Sequence, residues 1–179
     1  MKIKKQENKR KNYVYNNKYN LFDSAQEQIK YTSNGCNAII VNICNNQHIH
    51  VNAFNKKVYS RYPLVLANRE AVGRTNLGKC QPVLVDQNKE YNHKLYVANL
   101  YACSGKKTPK NRTINYYALG LSLQQLASFI RSNVNSTENP MSRIFIDKKC
   151  VAFTGCNWSF VDDLLDDIVP DIEVEVYDQ

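Results

Sequence analysis

The chain has 179 residues, of which 43% are hydrophobic and 22% charged, with a formal net charge of +8. That length fits one domain around one core, and the composition is that of a globular protein. No run approaches the roughly 18–20 apolar residues of a membrane span, and the basic N-terminus lacks the apolar stretch of a secretory leader, so a soluble, intracellular, cytoplasmic protein is expected.

Residues 1–12 have Ile3 as their only apolar residue after the initiator Met, so they read as a flexible basic arm built on Lys2, Lys4, Lys5, Lys9, Arg10 and Lys11. Such an arm serves either as a solubilising tail or as a contact for nucleic acid or an acidic protein surface. At the other end, eight acidic residues and no Lys or Arg follow Val161, which makes the chain dipolar. The six cysteines, at 36, 44, 80, 103, 150 and 156, form no CxxC pair. They point to reduced thiols rather than to a disulfide framework or a metal site.

Residues 13–179 read as one domain. Tyr13–Tyr19 adds an outer strand. Ala38–Cys44, with consecutive Ile39, Ile40 and Val41, has the pattern of a central strand buried on both faces. An asparagine-rich turn follows, then Phe54, Val58 and Tyr62 recur at helical spacing until Pro63 ends the helix. Residues 64–81 read as a loop. Pro82–Asp86 and Leu95–Tyr101 are strands joined by a polar turn, and SGKKTPKNR beyond Cys103 is a basic loop that is either solvated or in contact with phosphate.

Thr113 suits the cap of a long helix whose core stripe is Ile114, Tyr117, Ala118, Leu121, Leu126, Phe129 and Ile130. After the polar linker Asn133–Pro140 come a strand at Ser142–Ile146 and a loop at Asp147–Asn157. Asn157 or Ser159 caps the last helix, with Phe160, Val161, Leu164, Leu165 and Ile168 inward and Asp162, Asp163, Asp166 and Asp167 outward. Alternation of Ile172, Val174 and Val176 with Glu173 and Glu175 makes a final strand with one face in water near a sheet edge.

The order and spacing of these pieces resemble the macro domains, which bind ADP-ribose and related nucleotides. The pattern is a buried strand ending in Asn, a GxxGxG loop, and a helix ending in Tyr-Pro; counted from Asn45, Tyr62 and Pro63 fall in register. The likeness takes in Leu21-Phe22-Asp23-Ser24, which it implies to be a turn, and continues through LGKCQ at 77–81, LYVANL at 95–100, the 116–130 helix and GCNW at 155–158, covering roughly residues 13 to 178. It implies an α/β fold of three layers, α/β/α, with a mixed central sheet, which the alternating pattern of elements also suggests.

The resemblance also implies a site. Asn45 matches the residue that contacts the distal ribose, although an Asn closing a turn after a strand is an equal reading. Where many members have a Gly-Asp pair whose carboxylate meets the adenine amine, this chain has Tyr19-Asn20. The first-loop glycine positions are His48, Val51 and Ala53, followed by Phe54, and the second loop reads CVAFTGCNW, keeping Gly155 beside Phe153 and Thr154. These loops hold the diphosphate on backbone N–H groups, and a side chain there blocks close approach. Forfeiting one such hydrogen bond to the diphosphate costs about 1.5–3 kcal/mol. His48 and His50 could act as a general base, but no spacing motif supports a metal, and no cofactor is expected. Trp158 reads as structural packing.

Three functions stay open. The first is a module recognising ADP-ribose or a related nucleotide weakly through a remodelled pocket, binding rather than hydrolysing it. The second is a degenerate domain without nucleotide binding, acting as an interaction or structural protein through its arm. The third is a phosphatase or glycohydrolase acting on ADP-ribose derivatives. Fold alone does not decide among them.

Overall fold

The computed structural model of the chain describes residues 13–16, 18–30, 35–47, 52–106, 108, 111–134 and 141–178. The basic arm at residues 1–12, His48, His50 and Val51, and most of the polar linker lie outside these residues. Six strands form one sheet in the order β1-β6-β5-β2-β4-β3. They are β1 (Tyr13–Asn16), β2 (Asn37–Asn45), β3 (Cys80–Asn88), β4 (His93–Cys103), β5 (Ser142–Asp147) and β6 (Glu173–Tyr177). Every pairing is parallel except that of β3 with β4, so the sheet is mixed with one antiparallel edge.

All nine residues of β2 are buried, as its β-branched run requires of a strand covered on both faces. Around the sheet lie α1 (Leu21–Lys30), α2 (Ala53–Arg61), α3 (Pro63–Val72), α4 (Tyr116–Phe129), α5 (Lys148–Ala152) and α6 (Trp158–Ile168). Phe22 of α1 stacks on Phe54 of α2 at 5.8 Å, which places these two helices on one face. On the other face Tyr96 of β4 meets Phe129 of α4 edge-on at 5.3 Å, and α4 packs beside α6. The result is the expected α/β/α sandwich. No helix among the described residues is long and apolar enough to cross a membrane.

Several local expectations are corrected. LFDS opens α1 instead of forming a turn, and Asn20 caps that helix by accepting the Phe22 N–H at 2.9 Å. Residues 63–72 are helical rather than loop: Pro63 ends α2 and also occupies the first turn of α3, where its missing N–H costs nothing. The buried side chains of α3 are Val65 and Arg69, so a charged residue on the inner face hid the apolar period.

Asn115, not Thr113, caps α4, accepting the Ala118 N–H at 3.0 Å. The buried face of α4 includes Leu119 and Leu123, whereas Tyr117 is 76% exposed. This helix is apolar around much of its circumference, which blurs the phase of its core face. Residues 148–152 coil into α5 within the expected loop. In α6, Phe160 is exposed and meets the Tyr116 ring at a tilt, centroids 4.8 Å apart, while Asp162 is buried. β6 is the second strand from the edge, and Glu175 is covered there: it accepts from Asn16 Nδ2 at 2.9 Å and pairs with Arg143 at 3.4 Å.

Candidate functional site

Because five strands run parallel, Asn45 of β2 and Asp147 of β5 emerge at the same end of the sheet, where ligands of open α/β folds collect. At that end α1 and α2 border a cavity of about 600 Å³. Its lining combines the apolar side chains Leu21, Phe22 and Phe54, the polar Asn20 and Ser60, and the charged Lys56, Lys57, Arg61 and Asp147. A capping box holds α2 in place: Asn52 accepts the Asn55 N–H at 2.8 Å while Asn55 accepts the Asn52 N–H at 3.0 Å.

The charges of this cavity are unequally engaged. Arg61 donates to Asp23 at 2.7 Å, with both side chains largely in solvent. Asp147 is buried and caps α5 by accepting the Lys149 N–H at 2.7 Å. Burial raises its carboxyl above the usual range, opposed by that N–H and by the positive charges of Lys149 and Lys57. Among the described residues neither Lys56 nor Lys57 makes an ion pair. The side-chain carbonyl of Asn20 serves the first turn of α1. Its amide nitrogen has no partner among the described residues.

Asn45 is 5% exposed and its amide works inside the chain. Its Nδ2 donates to Gly105 O at 2.7 Å and its Oδ1 accepts the Gln47 N–H at 2.9 Å, closing the turn after β2. One hydrogen on Nδ2 and one lone pair on Oδ1 are left for any other partner. Ala53 is the exposed first residue of α2, and Phe54 is buried against Phe22.

The second loop does not present an open row of donors. Its short helix α5 takes the Phe153 N–H to Lys149 O at 2.9 Å, the Thr154 N–H to Val151 O at 3.0 Å and the Gly155 N–H to Ala152 O at 3.0 Å. Gly155, at φ +80°, adopts the left-handed conformation that commonly ends a helix. The Thr154 carbonyl in turn accepts from the Thr113 N–H at 3.2 Å. Beyond the turn, the Asn157 N–H donates to Tyr116 Oη at 3.2 Å. Trp158 is partly buried against the core, as its structural reading implies, and Lys148 lies over its ring at 5.7 Å and over Tyr15 at 5.2 Å.

Behind the first loop is a buried polar network that sequence reasoning missed. Asn55 of α2 donates to Asn42 at 2.6 Å and to Ile43 O at 3.0 Å; Asn42 donates to Asn99 at 2.7 Å; Asn99 donates to Gln81 at 3.2 Å. Beside it Arg69 of α3, 1% exposed, donates to Tyr59 Oη at 2.8 Å and to Asn45 O at 3.2 Å. No carboxylate among the described residues pairs with this guanidinium, and its Nε has no partner among them. The only sequence signals were three Asn residues inside or next to apolar runs. Cys44 lies against Tyr59 at 3.7 Å, and burial pushes its thiol up to about 11. Burial does the same to Cys36, at about 11, and to Cys103, at about 12, so none of these three is an activated nucleophile. All six cysteines are free.

No protein-family profile matches the chain, and no curated protein matches it. Solved structures do. A macrodomain protein from Streptomyces coelicolor aligns over 93% of this chain and 99% of its own, with a TM-score of 0.65 at 21% identity. The macrodomain of Mycobacterium tuberculosis DarG aligns over 93% and 97%, with a TM-score of 0.63 at 17% identity. Thermosipho africanus DarTG, solved in complex with ADP-ribose, aligns over 94% of this chain and 53% of its own, with a TM-score of 0.58 at 12% identity. The sheet order, the helices on both faces and nearly end-to-end superposition at such low identity agree on one conclusion: the chain has the macrodomain fold.

Proposed function

We propose that the chain is a nucleotide-recognition module that takes ADP-ribose or a related nucleotide through a remodelled pocket and binds it without hydrolysis. The observation that carries this reading is the cavity of about 600 Å³ at the carboxyl end of the sheet, which joins an aromatic pair, an uncommitted amide and cations. Its size and mixed lining suit a ligand of nucleotide dimensions. That a structural neighbour was solved with ADP-ribose supports the choice of ligand class. Binding rather than hydrolysis is favoured because Asp147, the carboxylate in the cavity lining, is engaged in capping α5 and is poorly placed as a general base.

The grip is weak in this account. Three N–H groups of the second loop close a helix end, and the first loop has no glycine at His48, Val51 or Ala53. Forgoing a few charge-assisted hydrogen bonds at about 1.5–3 kcal/mol each takes a micromolar ligand to millimolar or beyond. Calorimetric titration with ADP-ribose is expected to give a dissociation constant of roughly 0.1–5 mM. Submicromolar binding would contradict the weak-grip argument.

A second reading is an interaction protein that has lost nucleotide binding, favoured by the internal use of the second-loop N–H groups. It assigns partner contact to Lys2, Lys4, Lys5, Lys9, Arg10 and Lys11 of the arm, on nucleic acid or an acidic protein surface. No detectable heat with ADP-ribose at about 10 mM would select it over the first.

A further inference from the structure

We propose that the cavity between α1 and α2 holds a phosphomonoester, and that the preferred ligand is an adenine nucleotide carrying an additional phosphate on its adenosine ribose. This inference rests on the nucleotide reading above and names the substrate class of the same site. Among the described residues, Lys56, Lys57 and Arg61 line a cavity whose anionic lining group is Asp147, with Arg61 already paired to Asp23. Asp147 is 7% exposed and turned to the α5 N–H of Lys149, and of the two lysines only Lys57 acts on its charge.

A neutral adenosine in this cavity would leave Lys56 facing no opposite charge among the described residues and Lys57 facing only the buried Asp147. A dianionic phosphomonoester would meet them with charge-assisted hydrogen bonds, and Ser60 adds a hydroxyl in the same wall. The Phe22–Phe54 pair and the Asn20 amide nitrogen, which has no partner among the described residues, complete the requirements of a base next to that phosphate. The second loop has turned its backbone donors inward. Anion recognition at this end of the sheet therefore passes from backbone N–H groups to the side chains of α2. Helical spacing makes the change coherent, since Phe54, Lys57 and Arg61 follow one another at i, i+3 and i+7 on one face.

The test compares ADP-ribose with ADP-ribose 2′-phosphate by calorimetry on the full chain, with adenosine 2′,5′-bisphosphate and adenosine 3′,5′-bisphosphate as further arms that identify the preferred ribose hydroxyl. The phosphorylated ligand is expected to bind roughly tenfold tighter, the scale of one or two charge-assisted hydrogen bonds. Lys56→Ala with Lys57→Ala is expected to lower its affinity at least about fivefold more than that of ADP-ribose. Equal or weaker binding of the phosphorylated ligands, or a preference that survives the double substitution, would overturn the phosphomonoester site while leaving nucleotide recognition standing. If none of the four ligands binds, the nucleotide reading itself falls, and this inference with it.

Discussion

Asn42→Ala is expected to lower the unfolding free energy by about 2–4 kcal/mol, as measured by urea or thermal denaturation. Asn42 is fully buried in the central strand, and its amide is the hub between Asn55 of α2 and Asn99 of β4. Truncation removes two short hydrogen bonds, leaves one Asn55 hydrogen unmet and leaves the Asn99 carbonyl with only the weak Cys44 Sγ donor at 3.5 Å, in a low-dielectric interior where an orphaned group costs about 1–3 kcal/mol. Because Asn99 has lost its strongest donor once Asn42 is gone, keeping Gln81 and the weak Cys44 thiol as partners, adding Asn99→Ala should cost less than it does alone, with a coupling of about 1 kcal/mol or more. A single-variant cost below about 0.5 kcal/mol, the range of surface substitutions, would mean the network contributes nothing to the fold.

The second large effect is expected at Arg69. Its guanidinium sits 5.5 Å from the Tyr59 ring and bonds Tyr59 Oη and Asn45 O, tying α3 to the turn that closes β2. Arg69→Ala removes a fully buried long side chain, opens a cavity and strips both acceptors of their donor, for a loss of about 3–4 kcal/mol. Arg69→Met should recover at least about 1.5 kcal/mol of that loss, because it refills the space and also removes a charge held away from water with no carboxylate partner among the described residues. Unfolding curves of the two variants decide the matter. If Met is as damaging as Ala, the charge and its hydrogen bonds, rather than the packing, hold α3 in place.

How much of this was legible in the sequence follows from which residues carry a period. Ala38–Cys44 announced the central strand because three β-branched residues in succession fit little else. The antiparallel hairpin of β3 and β4 and the capped α6 were readable for similar reasons, and Asn157 caps α6 as one of the two expected residues. α3 was not, because its inner face presents Arg69 where a hydrophobic residue would have marked the turn. α5 was not, because five residues are too few to show a period.

The candidate site was legible only in outline. The Asn45 turn, Asn20 and Gly155 could be placed from the order of motifs, but their hydrogen-bond partners could not. That Asn45 bonds Gly105, sixty positions away, depends on the pairing of β2 with β4 and not on anything local. Lys56, Lys57 and Arg61 carried no signal of a site in the sequence; they join one only because α1 brings Asn20 and Phe22 into the same cavity wall.

The central claim is that a nucleotide enters between α1 and α2 instead of resting on the second loop, and amide chemical-shift mapping during titration with ADP-ribose tests it most directly. The account predicts progressive shifts concentrated at Asn20–Phe22 and Phe54–Arg61, with Phe153, Thr154 and Gly155 nearly unmoved because their N–H groups stay in the α5 helix end. Shifts confined to Phe153–Gly155 and Asn45, with α1 and α2 silent, would contradict it.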